Sequence, residues 1–298
     1  MKKTQVKKQV YYHMMMVPGI LFLAIFAFAP MFGIVMAFQN YVPAKGILGS
    51  SWVGMQNFKI IFSLRDSRQI FTNTIIISFW KILLRIAIPV VFAILINEVK
   101  NIFVKKSVQT VVYLPHFLSW VVFASVVQTM FSLEGPINQF LGLFGIEPIM
   151  FLGSNQWFRK VVIFTESWKE FGYASIVYFA ALTGIDPGLY EAASIDGANR
   201  FHKLLHITLP GILPIILIMF TMELPNILSA GFDQIYNLYN PLVYDTGDIL
   251  DTFVYRMGMV KRQYSIGTAV GLIKSTLGMI LMLIANKLVT TFTDRTMF

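Results

Sequence analysis

A chain of 298 residues that is 56% hydrophobic and only 13% charged lacks the residues to build a soluble domain's polar shell. Its mean hydropathy of +0.66 points to a membrane protein, where an excess of 24 basic over 15 acidic residues reads as topology and lipid contact, not nucleic-acid binding. The absence of cysteine excludes a disulfide frame, a thiolate metal site and a cysteine nucleophile, and the four histidines show no zinc-type pairing, so no metal is expected.

In chain order, six segments are long enough to cross the roughly 30 Å of a bilayer's hydrocarbon layer, at about 14–38, 71–97, 107–131, 156–182, 204–230 and 266–290. The first is uncharged and follows Lys2, Lys3, Lys7 and Lys8. Its apolar run is too long for a signal peptide and no small-residue cleavage site follows, so an uncleaved helix is expected. The second carries Lys81 and Arg85; the third holds Pro115; the fourth contains Glu166, Lys169 and Glu170; the fifth has Pro210, Pro214 and Pro225; the sixth carries Lys274. Near Lys274, Gly267 to Ser275 lacks the spacing of a phosphate-binding loop and lies in an apolar helix, so Gly267 and Gly271 read as a helix-packing face.

Positive charge sets the orientation. With the N-terminus inside, the inner segments hold eleven basic residues, among them Lys100, Lys105, Lys106, Arg200, Lys203, Lys287 and Arg295. The outer ones hold seven, namely Lys45, Lys59, Arg65, Arg68, Arg256, Lys261 and Arg262. The expectation is an all-α, polytopic protein forming one domain over residues 1–298, with both termini in the cytoplasm. The segment at about 186–203 then lies inside. Asp186 can cap free amides, Pro187 presets φ at the first helical position and Gly197 permits a sharp turn into a second helix, so the segment reads as helix, turn, helix. Taken alone, that is also what an ordinary amphipathic surface helix looks like.

Glu191-Ala192-Ala193, three residues, Gly197, nine residues, then Ile207-Thr208-Leu209-Pro210 resembles the EAA loop of ABC-importer permeases. The resemblance extends along nearly the whole chain. Residues 190–198 have the form typical of carbohydrate permeases related to the maltose-transporter pair. Trp168 to Tyr173, Tyr113 to Trp120 and Leu238 to Tyr244 look like the polysaccharide-type branch common in Gram-positive bacteria. It implies the type I importer permease fold in a bacterial plasma membrane, with Glu191, Ala192, Ala193, Asp196, Gly197, Leu209 and Pro210 in the coupling element. It further implies a second homologous permease, two ATPase subunits that bind ATP and Mg in place of this chain, and an extracytoplasmic solute-binding lipoprotein. The chain itself would be a pore subunit and not an enzyme, carrying an oligosaccharide or polysaccharide fragment.

A charge inside a bilayer must face protein or water. Glu166, Lys169 and Glu170 share one helical face, where Lys169 can satisfy one carboxylate and the other must find Lys81 or Arg85. That face is either a structural ion-pair network or part of a solute path. Sugar sites combine aromatic rings with polar atoms, so Glu166, Trp168, Lys169, Glu170, Tyr173, Glu223 and Asn226 are the path candidates. His116 reads as a packed or interfacial residue. The segment 231–265 mixes four Asp with five Tyr and is either a solvated loop or a docking surface for the lipoprotein, with Asp248 and Asp251 in contact. An ion-coupled secondary transporter is the alternative; the absence of an inverted repeat argues against it. No catalytic arrangement for an intramembrane enzyme is present.

Overall fold

The computed structural model describes residues 2–64 and 66–293; Arg65 and Arg295, both counted in the charge asymmetry, lie outside the described residues. The chain divides into two compact units, one of Met1–Arg65 and Val254–Ile273, the other of Asp66–Phe253 and Lys274–Phe298.

In the first unit, α1 (Tyr11–Phe38) is long and apolar enough to cross a membrane. Pro30 has no N–H to donate, and the turn before it, Ala24–Phe28, widens to π geometry, with the Ala29 amide donating to the Ala24 carbonyl. After α1, β1 (Gln39–Asn40) pairs antiparallel with β2 (Ser51–Trp52), a two-residue ladder in an otherwise helical chain. The helix α2 (Gln56–Ser63) follows, and its Asn57 amide donates to the Ala37 and Gln39 carbonyls at 2.8 and 2.9 Å. The expected glycine face is half present. A Cβ on Gly267 would sit 3.0 Å from the Cα of Gly258, whereas one on Gly271 would meet nothing within 4 Å.

The second unit is organised around α3 (Ser67–Asn97) and α7 (Phe158–Thr183), which share its most extensive helix contact. The segment expected as one span at 107–131 is instead α4 (Ile102–Phe117) and α5 (Trp120–Met130), bent by 107°. Pro115 forces a 3-10 turn, Leu118 and Ser119 go extended, and the Ser119 hydroxyl caps α5 by accepting from the Val122 amide. A short α6 (Pro136–Gly142) follows, and α5 packs beside α10 (Phe232–Leu238). Phe123, Val127, Phe158, Val162, Ile235 and Ile249 form the buried core there.

Between α7 and α10 come α8 (Pro187–Ile195) and α9 (Arg200–Leu228); α11 (Tyr264–Thr293) closes the described chain. Among the described residues four helical stretches are apolar and long enough to span, or five if the bent pair is one span. The 26-residue α7 has the length, but Arg159, Lys160, Glu166, Lys169 and Glu170 keep it out of that set.

Candidate functional site

Three groups of side chains hold the sequence-predicted site residues. The first is the α8 turn. Asp186 accepts from the Gly188 amide at 2.9 Å and Pro187 opens the helix. At its end Gly197 has φ of 76°, the Gly197 amide donates to the Ser194 carbonyl and the Ala198 amide to the Ala193 carbonyl. That pair of bonds closes the helix in a left-handed cap that favours glycine. Asn199 caps α9, accepting from the His202 amide, and Tyr190 and Thr208 hydroxyls meet at 3.0 Å.

None of the α8 residues is buried. Glu191, Ala192, Asp196 and Gly197 are exposed, as is Pro210, while Ala193 and Leu209 are half-buried. Ile195, next to the motif, is 87% exposed. Beside Tyr190 a cleft of about 560 Å³ opens, walled by Leu95 and Glu98 at the end of α3 and by Arg200 and Phe201 at the start of α9.

The second group is a knot of buried charge. Glu166 pairs with Lys81 at 3.4 Å and with Arg85, and Arg85 reaches Glu223 at 3.2 Å. Lys81 also donates to the Ala230 carbonyl at 2.6 Å and to the Gln234 side chain, whose amide donates in turn to the Val162 carbonyl and Thr165 hydroxyl. Lys81, Glu166 and Gln234 are 4%, 6% and 0% exposed, while the Arg85 and Glu223 side chains keep 34% and 17% of their surface, so two cations and two carboxylates neutralise each other at the edge of the core. Asn226 lines the same small space but is itself exposed.

The third group gathers at the α4–α5 break. Lys169 pairs with Glu170 at 3.0 Å and donates to the His116 carbonyl at 2.9 Å. The His116 ring donates from Nδ1 to Glu170 at 2.7 Å and lies parallel on the Tyr173 ring, centroids 3.9 Å apart. Tyr173 is exposed, whereas Trp168 packs on Phe123 at 5.1 Å in the core. The path candidates are therefore split between two clusters, and Glu166 and Lys169, three residues apart on one helix, belong to different ones. His116 and Gln234 join these clusters without any signal in the spacing, since both enter through tertiary contact.

The two residues expected at the docking surface differ: Asp248 is buried, whereas Asp251 is half-buried. Asp248 is 4% exposed and accepts from the Thr252 hydroxyl at 2.8 Å; Asp251 pairs with Lys274 at 2.5 Å. That contact turns the Asp248 carboxylate inward, against the helical turn at Leu250–Val254 that carries Thr252. No group of three or more metal-ligating side chains comes together among the described residues.

The family described as binding-protein-dependent transport system inner membrane component matches residues 90–293. The chain belongs to this family. The permease is thus a multi-pass pore subunit, with the ATPase a separate chain. It is similar to the polygalacturonan/rhamnogalacturonan transport system permease protein YteP of Bacillus subtilis (strain 168), 39% identical over 286 residues that cover 96% of this chain and 89% of that one. A crystal structure of a bacterial ABC transporter involved in the import of the acidic polysaccharide alginate superposes with a TM-score of 0.90 at 36% identity, covering 97% of this permease and 98% of that chain. A second crystal structure, of a bacterial alginate ABC transporter in complex with an alginate pentasaccharide-bound periplasmic protein, matches with a TM-score of 0.90 at 35% identity over 98% of both chains.

Proposed function

We propose that this permease imports a polysaccharide fragment, with uronate-containing chains the first class to test, as one half of a permease pair in an ATP-driven importer. The observation that carries the reading is the full-length likeness to permeases whose own cargo is pectic polysaccharide or alginate. The likeness to a transporter caught with its periplasmic protein supports a solute-binding lipoprotein as the delivering partner. Two ATPase subunits would bind ATP and Mg and engage the α8 turn from the cytoplasm, where both termini also lie; the eleven-to-seven bias of basic residues supports that orientation.

In this reading Glu191, Ala192, Ala193, Asp196 and Gly197 form the contact, with Leu209 and Pro210 starting the membrane part of α9. Exposed α8 offers small side chains for close approach and one carboxylate for a basic partner. The solute path runs past Glu170 and Tyr173, with Trp168 and Lys169 supporting them from behind, and past Glu223 and Asn226 beside the charge knot that Glu166 anchors. A neutralised knot gives a polar wall without a fixed net charge.

The test is uptake by the importer reconstituted with its solute-binding lipoprotein, using oligogalacturonate, oligoalginate and neutral oligosaccharides of matched length. Uptake of a glycan that requires ATP and persists without an ion gradient is expected. Uptake driven by a sodium or proton gradient without ATP would instead establish the secondary-transporter reading.

A further inference from the structure

The segment after α1 lies ahead of the residues that the family model matches. A span of 28 residues, Tyr11–Phe38, exceeds what about 30 Å of hydrocarbon needs, so it is long enough to carry its Phe38 end into the headgroup layer. The chain does not leave from there. Asn57 uses both amide hydrogens to hold α2 against the Ala37 and Gln39 carbonyls, at the last turn of the span. Phe58 and Trp52 pack their rings on Phe38 at 5.3 and 5.6 Å. The depth of α2 is therefore tied to the depth at which α1 ends.

With Phe58 and Ile61 turned inward, the opposite side of this small module is apolar and open. Met55 and Phe62, two helical turns apart, flank Lys59 on α2, and Leu48 and Trp52 are exposed on the preceding loop. From residue 39 to 64 the charged residues are Lys45 and Lys59, with no acid. Exposed aromatic and aliphatic side chains beside lysines, at headgroup depth, have the composition of an interfacial anchor.

We infer that Leu48, Trp52, Met55 and Phe62 dip into the lipid interface, with Lys45 and Lys59 reading anionic headgroups, so that this module holds the end of α1 at a fixed height. Lipid is favoured as the occupant over a protein because the segment follows a membrane span directly in sequence and carries only positive charge.

The chain has no cysteine, so single labels can be placed in it without a background from its own residues, with the unsubstituted importer as the control for its partners. Leu48→Cys, Met55→Cys and Phe62→Cys are made in the whole importer, labelled with a spin probe and reconstituted in vesicles of phosphatidylethanolamine and phosphatidylglycerol. Exposed Ser51 and Ser63 replace any position that blocks assembly. Oxygen collisions are expected to exceed those with a water-soluble nickel chelate severalfold, relative to free label in buffer. Bimane at the same sites should be quenched by brominated lipid, before and after the solute-binding lipoprotein is added. Labels as open to nickel as the free probe overturn the inference. So does protection that arises only with the solute-binding lipoprotein, which makes the module a dock, and so does protection without brominated-lipid quenching, which assigns the surface to another protein chain.

Discussion

Lys81 and Glu166 meet at 3.4 Å across the α3–α7 contact, both buried, while Lys169, on the same helix as Glu166, faces the other way. The carboxylate of Glu166 is thus balanced from a neighbouring helix, together with Arg85. Removing one partner of a buried pair strands the other in a low-dielectric site.

Lys81→Met is therefore expected to lower the stability of the purified importer by about 3 kcal/mol. The double variant Lys81→Met with Glu166→Gln should recover a good part of that loss. Thermal melting of the complex in detergent measures both, and an equal loss in single and double variants would show that the pair is not coupled.

At the α8 turn, Gly197→Val forces a β-branched side chain to φ of 76°, at a strain of about 1–3 kcal/mol. There is open space around a Cβ at that position, so backbone strain and not collision is the mechanism. Membrane insertion should be normal while ATPase-subunit recovery or coupled hydrolysis falls. Glu191→Ala should weaken the same association with no effect on the turn. Full recovery and full uptake in both would remove α8 from the contact.

Lys169 and Tyr173 separate support from contact at the α4–α5 break. Lys169→Met takes away a buried cation that holds Glu170 and the His116 carbonyl, and should lower complex stability. Tyr173→Leu removes an exposed ring and should cut uptake in a complex of normal stability. Normal uptake with Tyr173→Leu would take that ring off the solute path.

Asp248 now belongs to the fold and not to its surface. Asp248→Lys buries an unmatched charge where a carboxylate bonded Thr252, so the complex should assemble poorly, and basal and lipoprotein-stimulated ATPase activity should fall together. A selective loss of stimulation would restore the docking role.

The α8 turn was legible because its signals are local. An acidic cap, a proline at the first position and a glycine at the stop act within one or two turns of the residues they organise. The bend between α4 and α5 was not, since apolar residues run through it without a change of pattern and Pro115 is compatible with a continuous, kinked span. The knot was legible in half. That Lys81 or Arg85 would be needed follows from counting charges, but which carboxylate they take depends on how α3 and α7 are packed. Asp248 misled because an acid in a Tyr-rich loop has the composition of a surface, and only the three-dimensional path of the chain shows its carboxylate buried against Thr252.

The π turn at Leu204–Thr208, just ahead of Pro210, has a consequence for how the α8 turn is aimed. A helix advances about 100° per residue, and a π turn accommodates one residue more than an α turn does. That single residue is absorbed within the wide turn, so the rotational phase between the start of α9, which carries the cap at Asn199, and the membrane half beyond Pro210 is that of an α-helix one residue shorter. Deleting one residue from Leu204–Thr208 would leave a continuous helix of ordinary pitch with α8 facing nearly the same side. Deleting one from the α-helical part of α9 instead would swing Arg200 and the turn before it through about 100° around the helix axis, with every contact residue intact.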